Sequence, residues 1–283
     1  MHKLFFVLLL FATTATAQTT VKLDSAFAPS LSRTKSFVVI LPAGYSEAYR
    51  YPVLYLLHGF GGDHTNWTTL TKISTYAEKH SIIIVMPDGE NSWYVNSATD
   101  AKQRFEDYLI TDLPATIQRR YNVDTAKQAI AGLSMGGYGA VVLALRYPKR
   151  FLFAGSLSGA VGLFRDNFTL DGGRSNFGVQ SLQQTFGAPT ETVKSKYDPF
   201  KLSKAMSPKP SGSSGSPAMP YIYLAIGIQD GLKPFLPRNR ELADTLRAIG
   251  AAYEYHEVQG GHDWKFWDRE IQPLLKRLND FLP

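Results

Sequence analysis

The stretch that most constrains this chain is Gly132-Leu133-Ser134-Met135-Gly136. It fits the pattern G-x-S-x-G, and its flanks give the match meaning. Gln128 to Ala131 before it reads as a short apolar strand. Gly136 to Leu145 after it reads as a helix rich in small residues. Strand, sharp turn and helix are the setting of a nucleophile elbow, in which the serine is lifted to the top of a sheet in a strained backbone. Gly132 and Gly136 leave room for the turn, and Gly137 and Gly139 are expected to bring the helix close to the sheet.

The rest of the chain alternates in a way that fits such a sheet. Apolar runs bounded by turn residues occur at 36–41, 52–57, 81–86, 153–158 and 221–226, and an alternating run at 253–258. Helical patterns cover 69–80, 105–121, 239–249 and 264–281. Strands without polar alternation, separated by helices, predict an α/β protein with a mostly parallel central sheet covered on both faces. At 283 residues the chain suits one large domain, expected over 18–283. The mixed stretch 159–200 is expected to form a short lid or substrate loop, and 207–217, rich in Ser, Gly and Pro, a surface loop.

Residues 1–17 read as a secretory signal peptide. Lys3 gives the positive start, Leu4 to Ala12 the apolar core and Ala15-Thr16-Ala17 the cleavage site. That core is too short to span a bilayer, so an exported protein, periplasmic or secreted, without a membrane anchor is expected. There is no cysteine, which excludes thiol nucleophiles, cysteine metal sites and disulfides. The net charge of +6 is spread without a dense basic run, which argues against a nucleic-acid partner. Nothing resembles a metal-binding motif, and the chemistry below needs neither metal nor cofactor. Oligomeric state is not legible.

A serine hydroxyl needs an adjacent base. His262 in Gly260-Gly261-His262-Asp263-Trp264 lies between the last strand and the last helix, the position of the base in the chain order Ser, acid, His. The acid expected at the preceding strand end is Asp230; Asp263 is the rival, disfavoured by its adjacency to the base. The oxyanion hole is expected from the N–H of Met135 and one N–H of the loop His58-Gly59-Phe60-Gly61-Gly62, with Phe60 ahead of Gly61. His58 is expected to order that loop.

Together, His58 to Gly62, Pro87-Asp88-Gly89 with Ser92-Trp93-Tyr94, Ala131 to Ala140, and Gly261 to Trp264 with Trp267 resemble the esterase D-like family of α/β-hydrolases. That family includes feruloyl and acetylxylan esterases, S-formylglutathione hydrolases, enterochelin-type esterases and antigen 85 mycolyltransferases. The resemblance implies the α/β-hydrolase fold and the triad Ser134, Asp230 and His262, with Phe60 and Met135 as the hole. It also suggests Trp93, Tyr94 and Trp264 as substrate-lining aromatics; packing against the sheet edge is the equal alternative. The implied activity is serine carboxylic ester hydrolysis, with short feruloyl- or acetyl-type esters of carbohydrates or aromatic acids as substrates. The alternatives are an acyltransferase of the mycolyltransferase type, an S-formylglutathione hydrolase-like thioesterase and, from another class, a non-catalytic glycan-binding protein.

Overall fold

The computed structural model describes residues 18–165, 175–206 and 219–282. The signal peptide expected at 1–17, Gly172-Gly173 and the surface loop expected at 207–217 lie outside the described residues.

Eight strands form one sheet in the order β1-β2-β4-β3-β5-β6-β7-β8. They are β1 (Thr20–Ala28), β2 (Arg33–Leu41), β3 (Tyr51–Leu57), β4 (Ile83–Pro87), β5 (Val123–Leu133), β6 (Phe153–Leu157), β7 (Tyr221–Gly227) and β8 (Tyr253–Val258). The pairs β1·β2 and β2·β4 are antiparallel, and every pair from β4 through β8 is parallel. The central strands are apolar on both faces because both are covered. In β3, Val53, Tyr55 and Leu57 pack into one core with the helices Met135–Arg146 and Phe235–Ala248. Leu54 and Leu56 point into the other core with Trp67, Ile73 and the helix Trp264–Leu278. The expected mostly parallel sheet with helices on both faces is therefore present.

Three local departures from the expected pattern have physical causes. First, β1 turns only the small side chains of Ala26 and Ala28 toward the core. Val21, Leu23 and Phe27 are 47, 70 and 62 % exposed, so only its pairing along β2 marks it as a strand. Second, the helical stretch at 105–121 is interrupted by a π turn over Tyr108–Asp112. Pro114 has no N–H to give to the Ile110 carbonyl, and the Arg150 guanidinium donates to that carbonyl instead. Third, the stretch 159–200 folds into helices over its described part: Ser175–Phe186, Glu191–Tyr197 and the start of Pro199–Ala205. Thr190 caps the second through Val193 N–H, and Asp198 caps the third through Phe200 N–H, with Pro199 at its first position.

Candidate active site

Ser134 sits in the turn between β5 and the helix Met135–Arg146, with φ 52° and ψ −115°. A non-glycine residue held in so rarely populated a conformation costs about 1–3 kcal/mol, so the surroundings must over-determine it. They do. Ser134 N–H donates to Leu157 O at 2.9 Å, and Ser134 O accepts from the N–H groups of Tyr138 at 3.0 Å and Ala160 at 3.2 Å. The turn also needs bare backbone on either side. A Cβ on Gly132 would lie 2.6 Å from the Gly136 carbonyl carbon, and one on Gly136 would lie 2.5 Å from His58 O. Gly137 approaches β6 as expected, its Cβ position 2.7 Å from Ser156 Oγ, but Gly139 does not serve the sheet. Its neighbour is the Tyr94 ring, 2.7 Å from a Cβ there.

His262 Nε2 lies 2.9 Å from Ser134 Oγ, and His262 Nδ1 lies 2.8 Å from Asp230 Oδ2. The Asp230 side chain is fully buried and that of His262 is 17 % exposed. The buried carboxylate is satisfied on its other oxygen, Oδ1, by Leu232 N–H at 2.9 Å. The loops that carry the acid and the base are tied directly to each other. Gln229 N–H donates to Gly260 O at 3.0 Å, and Gly260 N–H donates to Gln229 Oε1 at 2.6 Å. The imidazole is held between the edges and faces of two rings, Phe235 at 5.4 Å and Trp267 at 5.0 Å, both nearly perpendicular to it. Asp263, the rival acid, is engaged elsewhere. It caps the helix Trp264–Leu278 by accepting from Phe266 N–H at 2.9 Å.

The glycine loop after β3 runs past the serine, since a Cβ on Gly59 would stand 3.5 Å from Ser134 Cβ. Its amides divide by partner. Gly61 N–H donates to Asn91 Oδ1 at 2.7 Å and Gly62 N–H to Gly59 O at 3.1 Å. Gly61, the second candidate for the hole, is thus spoken for. Among the described residues the N–H groups of Phe60 and Met135 meet no acceptor. Met135 is also the first residue of a twelve-residue helix, whose dipole places partial positive charge at that end.

His58 locks this loop. Its Nε2 accepts from Gly89 N–H at 2.9 Å and its Nδ1 donates to Gly59 O at 2.8 Å, which fixes one neutral tautomer. Asp88 Oδ1 is 3.8 Å from Nε2, a distance at which a charged pair could form. Burial outweighs it. The ring's pKa lies below the usual histidine value, chiefly through desolvation, partly offset by the Gly59 carbonyl and Asp88. Neutral His58 is also what the Gly89 hydrogen bond requires.

The three aromatics placed at the substrate are distributed differently. Tyr94 is fully buried. Its hydroxyl donates to His58 O at 2.9 Å, and its ring fills the space left by Gly89 and Gly139. That is the position of a packing residue, the equal alternative to a lining role. Trp93 is 3 % exposed, with its Nε1–H on Ser181 Oγ at 3.1 Å and its ring behind Phe60 at 5.9 Å. It too backs the wall. Trp264 is half-buried against Trp67 and Trp267. Asn91, Gln229 and Phe235 carry no motif and were not singled out by the sequence. Among the described residues no cluster of His, Asp and Glu has the geometry of a metal site. None of the described helices is long and apolar enough to cross a membrane.

The family model described as Putative esterase matches residues 28–278. The chain belongs to the esterase family. It is a serine ester hydrolase, and relatives named as esterases agree in kind. This esterase is 29% identical over 221 residues to the acetyl esterase of Caldicellulosiruptor saccharolyticus, a match spanning 77% of this chain and 79% of that one. Its fold is that of the fluorophosphonate-binding serine hydrolase F of Staphylococcus aureus, with a TM-score of 0.77 at 24% identity, covering 92% of this chain and 98% of that one. A solved ferulic acid esterase gives a TM-score of 0.74 at 22% identity, covering 94% and 99%. Both likenesses establish the α/β-hydrolase fold.

Proposed function

We propose that this esterase is an exported hydrolase of short acyl esters, carbohydrate-linked or aromatic and of feruloyl or acetyl type, acting through an acyl-enzyme on Ser134. The observation that carries the mechanism is the unbroken chain from Ser134 Oγ to His262 Nε2 at 2.9 Å and from His262 Nδ1 to Asp230 Oδ2 at 2.8 Å. Ser134 attacks the ester carbonyl as His262 takes its proton. Asp230 holds the imidazole in the tautomer that leaves Nε2 free, and stabilises the imidazolium. The oxyanion is received by the N–H groups of Phe60 and Met135, each worth about 3–4 kcal/mol of barrier. His262 then returns the proton to the departing alcohol. Water, deprotonated by His262, releases the acid.

The substrate class is supported by the acetyl esterase relative and by the leader pattern of residues 1–17, since polysaccharide esters lie outside the cytoplasm. The test is a panel of 4-nitrophenyl acetate, butyrate and octanoate, methyl ferulate and acetylated xylan, turned over by the protein lacking residues 1–17 and by its Ser134→Ala variant. Hydrolysis that favours acetyl or feruloyl esters and falls by about 10⁵-fold or more in the variant is expected. Full turnover by Ser134→Ala would sink the mechanism, and a preference for octanoate would sink the substrate class.

A further inference from the structure

A pocket of about 490 Å³ opens beside the oxyanion loop, between the segment 90–105 and the helix Ser175–Phe186. That volume lies within the range of about 300–1,000 Å³ typical of small-molecule sites. Two residues join it to the reacting centre. Phe60, whose N–H is assigned to the oxyanion, is 36 % exposed and lines the pocket. Asn91 lines the pocket while its Oδ1 holds Gly61 N–H at 2.7 Å.

The wall between them is built under backbone strain. Glu90, Trp93 and Tyr94 all have positive φ, at 48°, 57° and 60°. Such conformations persist only where the surroundings over-determine them, and they cluster at ligand clamps. Here the fixing contacts are Gly89 N–H to His58, Ser181 Oγ to Asn91 O at 3.0 Å, and Trp93 Nε1 to Ser181 Oγ. The wall is therefore rigid and connected to the loop that receives the oxyanion.

The lining selects the chemistry of its occupant. The Glu90 carboxylate is already met by Arg33 at 2.9 Å and Lys35 at 2.7 Å, so little unbalanced charge faces the cavity from that side. Gln180 and Gln184 stand one helical turn apart, both exposed and both on the pocket. A carboxamide carries donors and an acceptor, as each sugar hydroxyl does, so two of them on one helix face match neighbouring hydroxyls. An aliphatic chain would leave these groups unpaired, and an anion would meet the carboxylates of Glu90 and Asp100. The side of the Phe60 ring that does not rest on Trp93 offers an apolar surface for the C–H face of a ring.

We propose that this pocket is the subsite for the alcohol half of the ester, a neutral pyranoside, and that Gln180 and Gln184 hold its hydroxyls. The proposal rests on the carbohydrate-ester reading above. It is tested with one acyl group on two alcohols, acetylated xylobiose and 4-nitrophenyl acetate, comparing kcat/KM in the protein, in Gln180→Ala/Gln184→Ala, and in Gln183→Ala as a surface control on the same helix. The ratio of the two kcat/KM values is expected to fall about tenfold in the double variant, through KM for the sugar ester, and to hold in the control. Xylobiose binding to the Ser134→Ala protein, read by nuclear magnetic resonance titration, should weaken by the same factor when both glutamines are removed. A sugar ester that is cleaved well with a ratio unmoved by the double variant would overturn the subsite and leave the carbohydrate reading standing. Acetylated xylobiose left uncleaved while 4-nitrophenyl acetate turns over through Ser134 would overturn both.

Discussion

Two glycine-flanked histidines stand near Ser134, and their surroundings assign them opposite tasks. His58 is 1 % exposed, with both ring nitrogens committed to backbone groups of neighbouring loops. Nothing it touches can exchange a proton usefully. His262 is partly exposed, and its two nitrogens face a hydroxyl and a buried carboxylate. One side chain type therefore serves as a rivet in the first loop and as the proposed proton carrier in the second. The difference lies in the partners, since a histidine works as a base only where one nitrogen is free to take a proton from a reacting group.

Breaking the contrast on the His262 side should have the larger effect. Asp230→Asn keeps the shape of the acid but removes the charge and favours the wrong imidazole tautomer. Its kcat for 4-nitrophenyl acetate should fall by about 10⁴-fold with little change in Tm, measured by steady-state kinetics alongside thermal unfolding. A loss below tenfold would mean that another acid serves His262.

On the His58 side the cost should be mostly stability. His58→Leu leaves Gly89 N–H without its partner and Gly59 O with only Gly62 N–H, which should cost about 2 kcal/mol and lower Tm by roughly 4–8 °C. The drop in kcat should be on the order of tenfold, through loosening of the Phe60 amide, and the pH–rate profile should keep its shape. A shifted profile would give His58 a chemical role that its contacts deny it.

The same histidine sets a pH signature. Its folded pKa lies below the unfolded value, so the unfolded chain binds a proton that the native ring refuses. Stability should be complete above the unfolded histidine value of about 6.5 and fall as pH drops below it. Thermal unfolding between pH 8 and pH 5 should show this slope in the native sequence and a shallower one in His58→Leu. Equal slopes would place the acid sensitivity elsewhere.

The smallest effect sharpens the choice of acid. Asp263 touches the site only through the helix that it caps, so Asp263→Ala should lose about 1 kcal/mol and roughly 2–4 °C of Tm. Its kcat should stay within a few-fold of the native value, against the four orders expected at Asp230.

Much of this was legible because it depends on short-range pattern. The elbow, the glycine loop and the order of Ser134, Asp230 and His262 follow from strand ends and turn residues, and the central strands announce themselves as apolar runs. β1 does not, because Val21, Leu23 and Phe27 face solvent and no buried run marks it. The packing of Tyr94 was not legible because it is fixed by side chains that are missing elsewhere. A Cβ on Gly89 would stand 2.1 Å from its ring, a complementarity between positions that no local pattern reveals. Asn91 and Gln229 escaped for a related reason. Each is an ordinary turn residue until the fold sets its carboxamide against a loop from a different strand.

The central claim is that Ser134 carries the acyl group, and it is tested most directly by catching it. The protein is mixed with 4-nitrophenyl acetate, quenched in acid within the first turnovers, digested and read by mass spectrometry. A single acetyl group on the peptide that contains Ser134, growing with the burst of nitrophenol and absent from Ser134→Ala, is the predicted result. Turnover with no acetyl on that peptide, or with the acetyl on another residue, would contradict the account.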